Sequence, residues 1–274
     1  MCRLVGIVAS ENTQFGICLK EGPRSLATLS REHPDGWGIA IHEEERTSWR
    51  VHKGILRADV DQHFLDLAAR SAGRLLVAHI RQKTVGATRI ENTHPFTRDG
   101  WIFAHNGTVK DLDTLRAGTS PERLAQIEGD TDSELLFAHL LTRLDEAGVL
   151  VLGSDEARER ATRVLDVATH KLREASVGAF NFLLSDGGSM FAHRCGRSLY
   201  LLERSPHDPV RETRDVTEAA TLLTGWSRRR HAFLLASQPI TDEPWAELPE
   251  GTFLRIDRDP TPTVVFSAAT GRAA

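Results

Sequence analysis

The spacing of its apolar runs constrains this chain most. Residues 4–9, 37–42, 75–80, 101–105, 180–184, 199–202 and 232–236 are short stretches rich in β-branched, aromatic or Leu side chains, several of them bounded by Gly, Pro, Asp or Asn. That is the pattern of β-strands, and seven is a lower bound. Two long helical patterns follow one another between the fourth and fifth of these runs. Thr131 is placed to cap a helix over 132–147, with Glu134 closing a capping box, and Ala157, Ala161, Val164, Leu165, Ala168 and Leu172 form one apolar stripe. A weaker helical pattern covers 59–71. A doubly wound parallel sheet needs a helix after nearly every strand. Strands in runs, with the long helices grouped between them, predict instead an α+β fold of antiparallel sheets with helices layered on them.

The chain has 274 residues, enough for one large domain or two ordinary ones. No repeat or linker-like stretch divides it, so a single domain over 1–257 is expected. The tail over 258–274, with Pro260 and Pro262 and then small residues, is expected to fray in part. The stretch 204–230, carrying Pro206, Pro209 and Arg228-Arg229-Arg230, reads as a surface excursion. Thirty-four basic against 38 acidic residues, without a long block of one sign, argue against a nucleic-acid partner. No apolar run approaches the roughly 20 residues of a membrane helix, so no membrane partner is expected. The N-terminus lacks the basic, apolar and small-residue series of a secretory signal, and a cytosolic location is the expectation. Cys2, Cys18 and Cys195 are widely spaced outside any CxxC pair, which argues against a disulfide framework or a structural zinc site. His79, His94 and His105 lack the spacing that puts metal ligands on one helix face, so neither a metal nor a cofactor is expected.

Four segments have residue types suited to acyl transfer. Removal of Met1 would leave Cys2 with a free α-amine. An α-amine with a pKa of about 8 can take the proton of a thiol with a pKa of about 8.5, so nucleophile and base would share one residue. Alone, Cys2 reads more readily as a small buried side chain at the start of a strand. His105-Asn106-Gly107 ends a strand and offers a carboxamide N–H and a glycine N–H, two neutral donors for an oxyanion; an Asn-Gly hairpin turn is the plainer alternative. Arg81, at the end of the strand over 75–80, offers a planar fork to a carboxylate or to a surface ion pair. Asp132 follows the capping Thr131, where a carboxylate gains from the helix dipole and can bind an ammonium group.

With these segments in this order, the chain resembles the class II glutamine amidotransferase domain of the N-terminal-nucleophile (Ntn) hydrolases. The resemblance rests on Met1-Cys2, Asp35-Gly36-Trp37-Gly38, His79-Ile80-Arg81, His105-Asn106-Gly107 and Thr131-Asp132-Ser133-Glu134, spanning residues 1–135. Val77-Ala78-His79-Ile80-Arg81-Gln82 and Glu91-Asn92-Thr93-His94-Pro95-Phe96 look most like stand-alone members, among them relatives that act on γ-glutamyl compounds. Ser237-Gln238-Pro239-Ile240 followed by Trp245 is similar to the C-terminal half of that subgroup but is less diagnostic.

The resemblance implies a four-layer αββα sandwich of two antiparallel sheets flanked by helices. It also implies roles. Cys2 would be the nucleophile, Asn106 and the Gly107 N–H the oxyanion hole, Arg81 the partner of a substrate α-carboxylate. Asp132 would hold the α-ammonium, with the Gly107 carbonyl, and Thr84 and His94 would line the glutamine pocket. Gln82-Lys83 departs from the Trp-Ala of synthase-linked members, and Trp37 stands where it would shape a different leaving-group pocket. The substrate expected is glutamine or a γ-glutamyl compound, cleaved by a free-standing hydrolase or by a glutaminase subunit that passes ammonia to a partner synthase. An Ntn amidase acting on other amides and a non-catalytic scaffold subunit are the remaining readings.

Overall fold

The computed structural model describes residues 2–84, 86–149, 152–205 and 230–267. Two antiparallel sheets dominate these residues. The first runs in the order β11 (Ala246–Glu247), β9 (Tyr200–Arg204), β10 (Ala232–Ala236), β1 (Arg3–Gln14), β4 (Ala72–Ile80), β2 (Trp37–Glu43), β3 (Ser48–Gly54). The second runs β13 (Thr263–Phe266), β12 (Phe253–Asp257), β8 (Ser189–His193), β7 (Gly178–Ser185), β6 (Trp101–Val109), β5 (Phe96–Arg98). The helices are α1 (Leu26–Leu29), α2 (Gln62–Arg70), α3 (Leu112–Ala117), α4 (Pro121–Ala125), α5 (Asp132–Glu146) and α6 (Asp155–Glu174).

Period-two alternation of side chains along the strands builds the layers. On β1, Leu4 and Val8 enter a core between the sheets, while Val5, Ile7 and Ala9 pack outward with Leu26 of α1 and Phe64 and Ala68 of α2. β4 repeats the rule, with Leu75 and Val77 inward and Leu76, Ala78 and Ile80 outward. On β6, Ile102 and Ala104 lie between the sheets, and Trp101 and Phe103 face the apolar stripes of α5 and α6. Helix, sheet, sheet and helix are stacked in that order, the αββα sandwich expected.

Three local expectations need correction. Thr131 does cap α5, its hydroxyl accepting the Glu134 N–H at 3.3 Å. Glu134 does not close the box. Its carboxylate accepts the backbone N–H groups of Glu128 (3.0 Å) and Gly129 (2.7 Å) and meets Arg98 at 2.9 Å, bracing the preceding loop instead. His105-Asn106-Gly107 is not a hairpin turn, because β6 continues to Val109, with Asn106 opposite Asn181 and Gly107 opposite Phe180 of β7. The second sheet does not stop at Asp257. The β-branched Thr263, Val264 and Val265 extend it as β13, which pairs with β12 from Asp257↔Thr263 to Leu254↔Phe266. Residues 206–229, most of the expected excursion, and 268–274 lie outside the described residues. Among the described residues no helix is long and apolar enough to cross a membrane.

Candidate active site

Strand parity brings the candidate residues together. Cys2 shares the parity of Leu4 and Val8, and Arg81 that of Leu75 and Val77; Asn106 shares that of Ile102 and Ala104. All three therefore face the space between the sheets. Pairing of Arg3 with Ile80 and Leu4 with His79 sets Cys2 beside Arg81. The half-buried Cys2 thiol lies against the main chain just beyond Arg81, donating to the Gln82 carbonyl at 3.3 Å and accepting from the Gln82 N–H at 3.3 Å. Burial pushes the thiol pKa up. The Gln82 main chain and the Arg81 charge oppose this rise, and the Asp132 charge adds to it. Such a thiol needs a base within reach before it can attack anything.

Arg81 is buried, and its Nη1 donates to the Ala87 carbonyl at 3.1 Å. Burial lowers its pKa, opposed by Cys2, Asp35 and Asp130. Its own peptide is fixed by the turn before β2, since Arg81 N–H donates to the Gly36 carbonyl (2.8 Å) and Asp35 N–H to the Arg81 carbonyl (3.1 Å). The Asp35 carboxylate accepts the Lys83 N–H at 2.8 Å. Asn92, fully buried, clamps the other side. Its Nδ2 donates to the Ala87 carbonyl (2.9 Å) and to Asp130 Oδ1 (2.6 Å), while its Oδ1 accepts the Asp130 N–H at 3.0 Å. One side chain thus ties the loop that carries the Arg81 contact to the turn leading into α5.

Asp132 is the first residue of α5 and is buried. Its Oδ2 accepts the Val109 N–H at 2.7 Å, joining the helix start to the end of β6, and Oδ1 has no donor among the described residues. His105 points the other way, toward the helix layer, with Nδ1 2.8 Å from Ser133 Oγ and Nε2 3.3 Å from the Ala179 carbonyl. Burial lowers its pKa against the pull of Asp132 and Ala179. Asn106 is buried, yet its carboxamide makes no hydrogen bond to a described residue. Glycine is required next to it, because a Cβ at Gly107 would run into the Ala179 carbonyl and the His105 ring. Beside Asn106 opens a cavity of about 520 Å³, whose walls include Arg3, Arg197, Ser198, Tyr200 and Gln238.

The remaining candidates fall elsewhere. Thr84 is exposed on the loop after Arg81. His94 is buried with its ring 4.2 Å from that of His79 and 4.6 Å from Phe96, and neither ring nitrogen has a partner. Burial, then the charges of His79 and His105, hold its pKa well below the ordinary value. Trp37 does not shape a leaving-group pocket. It is fully buried under α2, edge-on to Phe64 at 5.1 Å, with Nε1 donating to Asp61 at 2.8 Å. Its indole belongs to the outer core of the first sheet. His79, His94 and His105 cluster, but no group of His, Cys, Asp and Glu among the described residues is placed to hold a metal ion.

Residues 1–272 match the family described as glutamine amidotransferases class-II. The chain belongs to the class II glutamine amidotransferases. Among other members, an uncharacterised protein of Methanocaldococcus jannaschii is 31% identical over 265 residues, covering 93% of this chain and 68% of that one. The γ-glutamyl-hercynylcysteine sulfoxide hydrolase of Mycobacterium tuberculosis is 26% identical over 260 residues, covering 84% of this chain and 99% of its own. A crystal structure described as a predicted glutamine amidotransferase from Pseudomonas aeruginosa superposes with a TM-score of 0.63 at 25% identity, covering 93% of this chain and 97% of that one. The match runs through the C-terminal half, so Ser237-Gln238-Pro239-Ile240 and Trp245 belong to the same amidotransferase domain.

Three structural residues escaped the sequence reading. Gln82 acts through its main chain, which leaves no side-chain signal. Asn92 lies in a quoted motif, but its clamp joins residues 38 positions apart. Asn181 interrupts the apolar Phe180-Asn181-Phe182, and a buried amide in such a strand is itself a signal, because it must find partners. Its Nδ2 donates to the carbonyls of Arg197 (2.9 Å) and Ser198 (3.0 Å), and its Oδ1 accepts the Cys195 N–H at 2.7 Å.

Proposed function

We propose that this amidotransferase, once Met1 is removed, cleaves the γ-amide of glutamine or of a γ-glutamyl conjugate through a γ-glutamyl thioester on Cys2. The observation that carries the reading is that the Arg81 and Asp132 charges both act on the Cys2 thiol, while Asn106, whose carboxamide has no partner among the described residues, shares its inward parity and lines a cavity. Arg81 and Asp132 carry opposite charges, as the α-carboxylate and α-ammonium of a glutamyl group do. Clamping both leaves the γ-carbonyl as the part of the substrate free to meet sulfur.

In this mechanism the Cys2 α-amine takes the thiol proton and the thiolate adds to the γ-carbonyl. The oxyanion rests on Asn106 Nδ2 and the Gly107 N–H. Collapse breaks the C–N bond, and the α-ammonium gives its proton to the departing amine. Water, activated by the same α-amine, then hydrolyses the thioester to glutamate. A thiol raised by burial is protonated at rest, which suits a base covalently attached to the nucleophile. The relative named as a γ-glutamyl-hercynylcysteine sulfoxide hydrolase supports a conjugate as substrate. A cavity larger than ammonia requires supports it too, so we favour a hydrolase over a subunit that passes ammonia to a partner.

Incubating Met1-processed protein with glutamine and with several γ-glutamyl amides tests the reading by glutamate release. Release that disappears in Cys2→Ala supports it. Equal release from wild type and Cys2→Ala contradicts it.

A further inference from the structure

The cavity beside Asn106 is lined by an arginine that no acidic side chain among the described residues neutralises. Three arginines and one glutamate, Glu250, line it. Arg194 is engaged, pairing with Glu247 at 2.8 Å and donating to the Arg197 carbonyl at 3.0 Å. Arg3 reaches the Cys2 carbonyl at 3.4 Å. Arg197 differs. Among the described residues its guanidinium has no acidic partner and no acceptor, and its Nε is shut off from solvent without a hydrogen bond. Desolvating part of a guanidinium without a counter-charge is unfavourable, and in a folded protein such a group normally has a partner.

The surroundings of Arg197 hold it in register with the candidate oxyanion site. Its carbonyl and that of Ser198 are both gripped by Asn181 Nδ2, and Asn181 stands directly opposite Asn106 in the β6–β7 ladder. At Gly196 the chain turns with φ +79°, and a Cβ there would press on Ala179, so this turn is built tightly against β7. The cavity volume of about 520 Å³ is more than ten times the ~30 Å³ that a water-sized leaving group such as ammonia occupies.

We infer that Arg197 binds an anionic group on the amine half of the scissile amide. The substrates are then γ-glutamyl amino acids or peptides whose leaving amine carries a carboxylate, rather than free glutamine. This rests on the function proposed above and adds the identity of the leaving group. A planar carboxylate matches the guanidinium fork, and a charge-assisted hydrogen bond of this kind corresponds to a preference of about 10- to 100-fold.

The test compares γ-glutamylglycine with γ-glutamylglycinamide, two substrates of nearly equal shape that differ in the charge of the leaving amine. The wild-type enzyme is expected to prefer the free acid in kcat/KM by about 10-fold or more. Arg197→Gln is expected to bring that ratio near one, and Arg197→Lys to retain part of it. A wild-type ratio near one overturns the inference while leaving γ-glutamyl hydrolysis standing, and so does a ratio that Arg197→Gln leaves unchanged. No glutamate from either compound or from glutamine overturns the hydrolase reading, and the inference falls with it.

Discussion

The two sides of Cys2 are built differently. On the Arg81 side almost every group is tied to backbone: Arg81 to Ala87, Asp132 to Val109, Asp35 to Lys83, and Asn92 to both neighbouring loops. On the Arg197 side the turn is held by Asn181, Arg194 and Glu250, a cavity stays open, and one guanidinium has no counter-charge among the described residues. The contrast teaches where specificity can vary. A clamp made of paired charges on braced loops suits an invariant glutamyl head. A wide cavity edged by arginine suits a leaving group that differs between enzymes with the same sandwich.

The largest effect expected lies between the two sides. Cys2→Ala should reduce glutamate release more than about 10³-fold, read in steady-state assays on protein verified to lack Met1. Next is the oxyanion contact. Asn106→Ala should lower kcat about 10²- to 10³-fold with little change in KM; a change confined to KM would make Asn106 a binding group and erase the distinction between chemistry and clamp. On the braced side, Arg81→Ala and Asp132→Asn should each raise KM for glutamine about 10- to 100-fold, since each removes one charged partner. Asn92→Ala should do the same to a smaller degree, about 10-fold, by freeing both loops. If Asn92→Ala instead leaves KM untouched, the clamp does not depend on its bracing.

The last effect is on stability and belongs to the same braced side. His79 is fully buried, and burial, with the His105 and Arg81 charges, pushes its pKa down to about 3. Unfolded, a histidine titrates near 6.5, so as pH falls below about 6.5 the unfolded state binds a proton that the folded state refuses. Stability should therefore be full above about pH 6.5 and decline toward pH 3, by up to about 1.4 kcal/mol per pH unit for this group. Urea denaturation of His79→Gln between pH 7 and pH 5 should show a shallower decline; an identical slope contradicts a buried neutral His79.

Much of this arrangement is readable from residue patterns. Alternation along residues 4–9, 75–80 and 101–105 sets which side chains meet between the sheets, and the same parity carries Cys2, Arg81 and Asn106 inward. The bracing is harder to read. The Gln82 contacts use peptide groups that every residue has. Glu134 satisfies a capping-box pattern yet serves another loop, because the nearby Glu128 and Gly129 N–H groups compete for its carboxylate. Trp37 sits in a motif that suggests a pocket, but its size and the Asp61 acceptor draw it into the core. The positive side of the cavity depends on β7 and on the turn after β8 lying against β6, a long-range pairing that no local spacing encodes.

The most direct test traps the intermediate. Protein quenched in acid during turnover of a γ-glutamyl amide should yield, by peptide mass spectrometry, an N-terminal fragment beginning at Cys2 that carries one γ-glutamyl group on its sulfur. A mature chain that retains Met1, or a turning-over enzyme whose Cys2 peptide is never modified, would contradict the account.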